Sequence, residues 1–373
     1  MINVLYTCAA LGSSGYSESS RNYIAALNTQ SGINLAVESA TFEMFKTDQS
    51  KYEELLQPLI NKTITPDVQI VHMTPENYPK YKKPNMKNIG YTVWETTQLP
   101  DTWVPFCNMM DEIWVPCDWN VEVFKSSGVT VPVKKVPHTI DLEQFENVEP
   151  IKLGIPRDKF KFYSIFQWTD RKHPYGLIKA YLSEFSAQDN VALICKTYRM
   201  NHTPQDKSLI EREIQSLKAF ANTKNLPTVY LIHEALSRDD ILGLHALGDC
   251  FVLPHKSEGW GLAPFESMAS GKPTISTNFG GNLEFMNDDN SYLIDYTLTP
   301  VSNMPWPIYN IKQSWAEPDL SDLKAKMRYV YENRNASDEK IKNAKISVAK
   351  YSWQIIGELM KKNLTELFQV EKK

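Results

Sequence analysis

HKSEGWGLAPFESMASGKPTISTNFGG, residues 255–281, is the most informative segment of the chain. Its pattern and that of the residues just before it predict a strand over 250–253, a loop over 254–263, a short helix over 264–270 and a strand over 274–277. Pro264 suits the first turn of this helix, because its missing N–H is no loss there. Gly271 suits the left-handed residue just past the helix end. This order of elements is typical of an α/β protein with a parallel sheet.

Two carboxylates, Glu258 and Glu266, flank a glycine-aromatic turn in this stretch. The Gly280-Gly281 pair downstream is expected to open a further helix. Two helix N-termini would then face one crevice, each with free N–H groups and the positive end of its dipole. The sequence therefore predicts a crevice for a phosphate-bearing ligand, with carboxylates beside it.

Composition limits the class of protein. The chain has 373 residues, of which 42% are hydrophobic and 23% charged, as expected for a globular protein of about two domains. The net charge of −4 gives no overall attraction to a polyanion, so a nucleic-acid partner is not expected. The five scattered cysteines form no C-x-x-C pair, which favours reduced thiols and a cytoplasmic location.

Targeting and membrane signals are weak. The first residues lack a basic region before their short apolar run, so no signal peptide is expected. No apolar run is long enough to span a membrane. The sequence leaves peripheral membrane contact and the oligomeric state open.

Strand and helix patterns alternate along the chain and restart once. The first series predicts an N-terminal domain over 1–148, and the second predicts a C-terminal domain over 149–350. The proline-bearing, polar segment NVEPIKLGIPRDK, residues 147–159, is the predicted linker. A terminal helix follows over 351–373.

Candidate binding residues follow the strands of the first series. Gly12 and Gly15, in the loop after the first strand, would let the backbone approach a ligand or another domain closely; an ordinary strand-to-helix turn is the alternative. His72 ends a buried strand, and ligands bind at the carboxyl edge of open parallel sheets. A structural hydrogen-bonding role is the alternative for His72.

EGWGLAPFESMASGKPTI, residues 258–275, resembles the Glu-x7-Glu signature of the retaining family 4 glycosyltransferases of the GT-B fold. Other segments agree with that family in order: IWVPCDWNVEVFKSSGV (113–129), VPHTIDLEQF (136–145), RKHPYGLIKAY (171–181) and YSWQII (351–356). The resemblance implies two Rossmann-like domains facing each other across a cleft, with the terminal helix returning to the N-terminal one. A nucleotide-diphosphate sugar would be held by the C-terminal domain and the acceptor by the N-terminal domain.

The resemblance also implies roles for the two carboxylates. Glu258 would contact the hydroxyls of the donor sugar, and Glu266 those of the ribose. A carboxylate suits this task because it accepts two hydroxyl hydrogen bonds and so fixes orientation. Further donor-binding candidates are the turn residues, which would present backbone groups to the sugar and diphosphate: Gly259, Trp260, Gly261 and Leu262. Gly15, in the first domain, is another donor-binding candidate.

Arg171 and Lys172 match the basic phosphate site of the family. A cation there stabilises the charge that the phosphoryl oxygens gain as the sugar leaves. The chain departs from the family at the arginine often found about five residues before this lysine, because Phe166 or Gln167 stands there. Lys196, at the end of a predicted strand, is a second candidate cation. A surface basic pair is the alternative for Arg171-Lys172.

The acceptor side departs further from the family pattern. Some members have a histidine at the end of the strand that reads GYTVWETT here (90–97), and Trp94 occupies that position. Glu95, Tyr16 and His72 are the other acceptor-side candidates. In the front-side mechanism proposed for this family, the leaving phosphate oxygen takes the acceptor's proton, so no separate base is required. Retaining hydrolases use a carboxylate nucleophile instead, and no residue of the first domain is identified as one.

The sequence thus predicts a retaining, metal-independent transferase acting on a nucleotide-diphosphate sugar. The acceptor is expected to be a glycan, a lipid-linked glycan or a small molecule. No cofactor is expected, because the acidic pairs Asp239-Asp240 and Asp288-Asp289 are interpreted as a helix cap and a solvated turn. Three alternatives stay open: a catalytically silent nucleotide-sugar-binding protein, a sugar phosphorylase or synthase of the same architecture, and a transferase acting on modified nucleic acid.

Overall fold

The computed structural model describes residues 1–12, 14–40, 50–200 and 202–369. The chain divides into two compact units. The N-terminal unit comprises residues 1–142 and 350–373, and the C-terminal unit comprises residues 143–349. Each unit is built on a six-stranded sheet in which all neighbouring strands are parallel. The predicted α/β class, with two Rossmann-like units, is confirmed.

The sheet of the N-terminal unit contains β1 (Ile2–Cys8), β2 (Ile33–Ser39), β3 (Val68–His72), β4 (Lys87–Tyr91), β5 (Glu112–Val115) and β6 (Val133–Lys135). Their order in the sheet is β2-β1-β3-β4-β5-β6. The first helices of the chain are α1 (Gly15–Asn28), α2 (Ser50–Ile60), α3 (Tyr78–Tyr81), α4 (Trp103–Asn108) and α5 (Asp118–Ser126). Strands β3 and β5 are buried along their whole length, as expected of parallel strands covered on both faces.

The sheet of the C-terminal unit contains β7 (Phe160–Gln167), β8 (Val191–Tyr198), β9 (Thr228–Ile232), β10 (Cys250–Leu253), β11 (Thr274–Thr277) and β12 (Tyr292–Ile294). Their order is β12-β11-β10-β7-β8-β9. An antiparallel hairpin follows, formed by β13 (Tyr296–Pro300) and β14 (Ser314–Pro318). The helices are α6 (Pro174–Glu184), α7 (Pro204–Phe220), α8 (Arg238–Leu247), α9 (Leu262–Ala269), α10 (Leu320–Glu332) and α11 (Asp338–Ala349).

Aromatic and aliphatic side chains of the C-terminal sheet form its core. Phe162 on β7 is fully buried and contacts Tyr181 and Phe185 at ring-centre distances of 6.4 and 5.4 Å. Burial of each such side chain stabilises the fold by roughly 1.5–3 kcal/mol. This core holds the loops at the carboxyl ends of the strands in fixed positions.

The C-terminal helix α12 (Trp353–Gln369) packs on α1. Gly357 permits the close approach, because a Cβ there would lie 2.5 Å from the Ala26 carbonyl oxygen. The Trp353 indole donates a hydrogen bond of 2.8 Å to Asn22 Oδ1 on α1. The last helix of the chain is therefore part of the N-terminal unit.

The stretch that opened the sequence analysis folds largely as predicted. Both flanking strands, β10 and β11, have the predicted bounds. The helix between them, α9, begins two residues earlier than predicted and ends one residue earlier. Gly271 has a φ of +68° just past the helix end, so its predicted left-handed conformation is confirmed. In the part of the chain that the structure describes, no helix has the length and apolar character needed to cross a bilayer.

Candidate active site

The strand order of the C-terminal sheet reverses between β7 and β10, which are neighbours. The chain leaves these two strands at the same sheet edge, and ligands of open parallel sheets bind at such a switch point. The loop after β7 carries Arg171 and Lys172, and the loop after β10 carries Glu258. The topology therefore explains how residues about 87 positions apart in sequence meet.

Glu258 contacts both Arg171 and Lys172. Its Oε1 accepts a hydrogen bond from Lys172 Nζ, and its Oε2 lies 3.4 Å from Arg171 Nη1. The same Arg171 nitrogen donates a 2.9 Å bond to the Ser257 carbonyl oxygen. The structure thus brings three of the predicted site residues into one cluster, while their catalytic roles stay predictions.

The ionisation of Glu258 follows from these contacts. Burial by itself raises the pKa of the carboxyl, but Lys172 and Arg171 outweigh it and bring the pKa down to about 2. Glu258 is therefore ionised throughout the physiological range, and it accepts hydrogen bonds without acting as an acid.

His255 lies in the same loop and is fully buried. Burial is the largest cause that lowers its pKa, to about 3, so the ring is neutral at pH 7. Within the described residues, neither ring nitrogen of His255 nor the Ser257 hydroxyl has a hydrogen-bond partner. Buried polar groups normally have one, so this part of the site holds unused hydrogen-bonding capacity.

The glycines of the site permit close backbone packing. Gly281 N donates a 2.7 Å hydrogen bond to the Glu258 carbonyl oxygen, and a Cβ on Gly281 would lie 2.0 Å from the Gly259 carbonyl oxygen. Gly261 has a φ of +92° and immediately precedes α9. A helix begins at the Gly280-Gly281 pair, as expected, but it is a short 3-10 helix, Gly281–Glu284.

Trp260 contributes packing through its ring. The indole is 2% exposed and contacts Phe265 and Phe285 at ring-centre distances of 5.2 and 5.0 Å. Its side chain belongs to the core, so a donor-binding contribution from Trp260 would come from its backbone. Leu262, another donor-binding candidate, is the first residue of α9.

Glu266, on α9, has its own set of partners. Arg238 Nη1 donates a 2.6 Å hydrogen bond to Oε1, and His245 Nε2 lies 3.4 Å from Oε2. Burial raises the pKa of Glu266, but Arg238 and His245 together lower it to about 2. Sequence reasoning missed Arg238 and His245, since nothing in the local pattern shows that the start and the last turn of α8 meet α9.

The other predicted cation, Lys196, lies on β8, on the side of β7 away from β10. Burial lowers its pKa to about 8, and Glu234 partly opposes that shift. No ion pair with a carboxylate is found for Lys196 among the described residues. Gln167, one of the two residues that stand where the family often has arginine, donates a 2.7 Å hydrogen bond to the Arg199 carbonyl oxygen.

His72 lies at the switch point of the N-terminal sheet, between β1 and β3. The ring is 1% exposed; its Nδ1 is 2.9 Å from the Tyr6 hydroxyl and 3.0 Å from the Ser20 hydroxyl. Burial is the main cause that holds the pKa of His72 well below its usual value, so the ring is neutral. These contacts fit the structural role that was the alternative for His72, and its role on the acceptor side stays a prediction.

Trp94 also has a structural environment. Its ring is 1% exposed and donates 2.7 Å hydrogen bonds to Thr96 Oγ1 and the Gln98 carbonyl oxygen. The Asn120 side chain bonds both the N–H and the carbonyl of Trp94, at 3.0 and 2.9 Å. The position that holds a histidine in some family members is therefore a packing position here.

Tyr16 and Glu95 remain the partly exposed acceptor-side candidates. The Tyr16 hydroxyl lies 3.0 Å from Thr92 Oγ1, and burial is the main cause that raises its pKa. Gly15 is exposed at the first residue of α1. The loop before α1 is held by Arg21, which sequence reasoning missed; Arg21 Nη1 donates to the carbonyl oxygens of Ala10 and Gly12 at 3.0 and 2.8 Å.

Across the described ranges, no group of three or more histidine, cysteine, aspartate or glutamate side chains is arranged to hold a metal ion. The cations of Arg171 and Lys172 are the charged groups at the C-terminal switch point that suit an anionic ligand.

Part of the C-terminal unit is similar in sequence to a known protein family. Residues 146–299 match the family model described as glycosyl transferases group 1. The C-terminal unit resembles a glycosyltransferase family. A segment of 119 residues is 26% identical to the sulfoquinovosyl transferase of Arabidopsis thaliana; it covers 32% of this chain and 20% of that protein. The match therefore spans about a fifth of the length of that curated relative.

Solved structures agree on the fold of the whole chain. HepE from Anabaena in complex with UDP-glucose superposes with a TM-score of 0.68 and 13% identity, covering 98% of this chain and all of that one. The sucrose-phosphate synthase of Thermosynechococcus elongatus gives a TM-score of 0.69 and 14% identity, covering 99% of this chain and all of that one. At these identities the likeness concerns the fold, which is that of GT-B glycosyltransferases.

Proposed function

We propose that this protein is a retaining glycosyltransferase of family 4, which moves a sugar from a nucleotide-diphosphate sugar to an acceptor hydroxyl. The observation that carries the proposal is the contact of Arg171 and Lys172 with Glu258 at the switch point of the unit that matches the glycosyltransferase family model. Two cations and one carboxylate leave a net positive charge in this cluster. That charge suits a diphosphate group, and the carboxylate suits the hydroxyls of the attached sugar.

In the proposed reaction the cations act on the leaving group. The bond between the sugar's anomeric carbon and the diphosphate oxygen breaks, and negative charge builds up on the phosphoryl oxygens. Lys172 supplies a point charge to those oxygens, and Arg171 supplies a planar donor group. Preorganised cations stabilise the transition state more than the ground state, because the charge is largest there.

Glu258 binds the sugar in this proposal. A carboxyl group with a pKa of about 2 is a poor proton acceptor and a poor nucleophile at pH 7, because both abilities fall as basicity falls. It accepts hydrogen bonds from sugar hydroxyls. The acceptor oxygen attacks the same face of the sugar that the diphosphate leaves, and the acceptor's proton passes to the departing phosphate oxygen.

The donor and acceptor follow from the same reasoning. A neighbouring structure binds UDP-glucose, so we propose a UDP-sugar as the first donor to test. The proposed acceptor is a glycan, a lipid-linked glycan or a small molecule with a free hydroxyl. All five cysteines are buried free thiols, which fits the proposed cytoplasmic location. We also propose that transfer needs no metal, since lysine and arginine would stabilise the diphosphate.

The test is transfer from a panel of UDP-sugars to a library of hydroxyl acceptors, with proton NMR of the product's anomeric centre and a parallel run in EDTA. We expect a product of the same anomeric configuration as the donor, formed equally well in EDTA. A product of opposite configuration would contradict retention. Donor binding without transfer or hydrolysis would instead identify a catalytically silent nucleotide-sugar-binding protein.

A further inference from the structure

Lys256 lies where three segments of the C-terminal unit meet. Its backbone N–H donates a 2.7 Å hydrogen bond to the carbonyl oxygen of Arg171, in the loop after β7. Its carbonyl oxygen accepts a 2.9 Å bond from the N–H of Ala316, on β14. Lys256 itself belongs to the loop after β10. One residue therefore ties the hairpin strand β14 to both loops of the proposed diphosphate site.

The side chain of Lys256 makes the same three-way connection. Its Nζ is 3.3 Å from Asp170 Oδ2 and 3.0 Å from Glu317 Oε2, and lies 5.1 Å from the ring centre of the buried Trp315. Lys256 is only 7% exposed. A lysine is almost never buried without paired charges, and removal of one partner of a buried pair leaves an uncompensated charge.

The two carboxylates that Lys256 binds stand close to the proposed phosphate ligands. Asp170 immediately precedes Arg171, and burial is the largest cause that raises the pKa of Asp170, with Lys256 opposing it. Glu317 also lies 3.6 Å from His173 Nε2, but burial lowers the pKa of His173 to about 4. At pH 7 His173 is neutral, so Lys256 is the charged partner of both acids in the described part of the chain.

Strand β14 lies beyond the segment that matches the family model, which ends at residue 299. Trp315 and Glu317 are therefore contributions of this chain from outside the matched region. They reach the site through an element that the sequence pattern did not resolve into a hairpin.

We infer that Lys256, supported by Glu317 and Trp315, is a positioning residue of the donor site. It fixes the loop that carries Arg171 and Lys172. It also binds Asp170 and Glu317, so that these carboxylates do not compete with the donor's phosphates for the two cations. The inference rests on the proposed function, because it concerns the same diphosphate site.

The test uses Lys256→Met and the double variant Asp170→Asn/Lys256→Met in the full chain. Calorimetry measures the Kd for UDP and for inorganic pyrophosphate, and steady-state kinetics measure the KM for the acceptor. We expect Lys256→Met to weaken UDP and pyrophosphate about tenfold and to leave the acceptor KM within about twofold. Because Asp170→Asn removes an uncompensated carboxylate, it should restore most of the lost affinity in the Lys256→Met background.

A purely structural role would give a different result. Lys256→Met would then lower the thermal unfolding midpoint and the fraction of active protein, while the folded fraction kept the wild-type Kd; that outcome overturns the inference. Equal Kd values for the single and double variants would also overturn it. Lys256→Arg, which keeps the charge, should bind UDP within about threefold of wild type, and the exposed Lys179→Met is the control for loss of a surface lysine.

Failure of the proposed function can be distinguished from failure of this inference by the binding and transfer measurements on the wild-type protein. If the wild-type protein binds UDP and pyrophosphate but transfers no sugar, the affinity comparison still decides the role of Lys256. If the wild-type protein binds neither ligand, both the proposed diphosphate site and the positioning role are overturned.

Discussion

Both sheets of this protein reverse their strand order beside the first strand of the unit, between β1 and β3 in one and between β7 and β10 in the other, yet the side chains there differ. In the C-terminal unit the switch point holds two cations against one carboxylate, Arg171 and Lys172 with Glu258. In the N-terminal unit the neutral ring of His72 is hydrogen-bonded to Tyr6 and Ser20, and Arg21 binds the backbone of the loop after β1. The same sheet edge therefore carries a paired charge cluster in one unit and a buried, hydrogen-bonded histidine in the other.

The difference teaches that the fold provides a location and the side chains decide its chemistry. Buried charges are costly unless they are paired, so a charged cluster at a switch point indicates a site that exchanges partners with a charged ligand. A neutral, hydrogen-bonded network is satisfied without a ligand. We therefore expect donor chemistry to be sensitive to substitutions in the C-terminal cluster, and the N-terminal network to affect mainly stability.

The largest effect is expected from Glu258→Gln. The amide has the same shape but loses the charge that balances the two cations and that, in the proposed function, orients the sugar hydroxyls. We expect kcat to fall roughly 10²–10³-fold, with a smaller change in the Kd for UDP, which lacks the sugar. Glu211→Gln, at an exposed position of α7, is the matched control. A wild-type kcat in Glu258→Gln would remove this carboxylate from the mechanism.

The next largest effect is expected from Lys172→Met, which keeps the length of the side chain and removes its charge. We expect kcat to fall about 10²-fold, because the charge on the leaving diphosphate loses one preorganised partner. Lys179→Met, on the exposed face of α6, serves as control in the same transfer assay. Unchanged turnover would show that the C-terminal cluster does not contact the leaving group.

A smaller and more selective effect is expected from Glu266→Gln. If Glu266 binds the ribose hydroxyls, wild type should prefer UDP over 2′-deoxy-UDP, because the deoxy compound lacks one hydroxyl that donates a charge-assisted hydrogen bond to the carboxylate. The variant should bind UDP about tenfold more weakly and lose most of that preference. Calorimetry with both nucleotides measures it. A variant that keeps the full preference would place the ribose elsewhere.

The N-terminal network should respond to pH. The folded-state pKa of His72 is well below 6.5 and that of His138 is about 3, in both cases chiefly because of burial. The unfolded chain therefore binds more protons than the folded chain below pH 6.5, so stability falls as pH decreases from 6.5. Each such histidine contributes a slope of up to about 1.4 kcal/mol per pH unit.

The variant His72→Phe tests this contribution. We expect a lower unfolding midpoint at pH 7, since Tyr6 and Ser20 lose a buried partner, but a shallower decline between pH 6.5 and 5. Circular dichroism melts at several pH values measure both. A decline as steep as that of wild type would mean that His72 is not a neutral buried group.

The local parts of the fold and site could be predicted from sequence. Strand bounds on both sides of the decisive stretch and the left-handed Gly271 follow from apolar runs and helix-end chemistry, which act over a few residues. Glu258 stood out beside its glycine-aromatic turn, and Arg171 and Lys172 through their resemblance to the basic phosphate site of the family. Arg171, Lys172 and Glu258 are in contact because β7 and β10, whose following loops carry them, are neighbouring strands.

The remaining features depend on contacts that no local pattern records. The Lys256 cluster needs β14 to pack on the loop after β10, and Arg238 reaches Glu266 only because α8 and α9 are neighbours in space. The close packing of the double glycine on the backbone of Glu258 and Gly259 is a further contact of this kind. Trp94 and His72 were candidates by position, and their burial depends on tertiary contacts that position alone does not show.

The return of α12 to the N-terminal unit has a consequence for biosynthesis. Residues 1–142 leave the ribosome long before residues 353–369, and the whole C-terminal unit is made in between. Domains generally fold as units during synthesis, so the C-terminal unit can finish folding first. Until α12 is made, the surface of α1 around Ala26 in the nascent N-terminal unit is not covered by that helix. A stalled or truncated chain should therefore expose that surface to chaperones and proteases while already holding a complete donor-side fold.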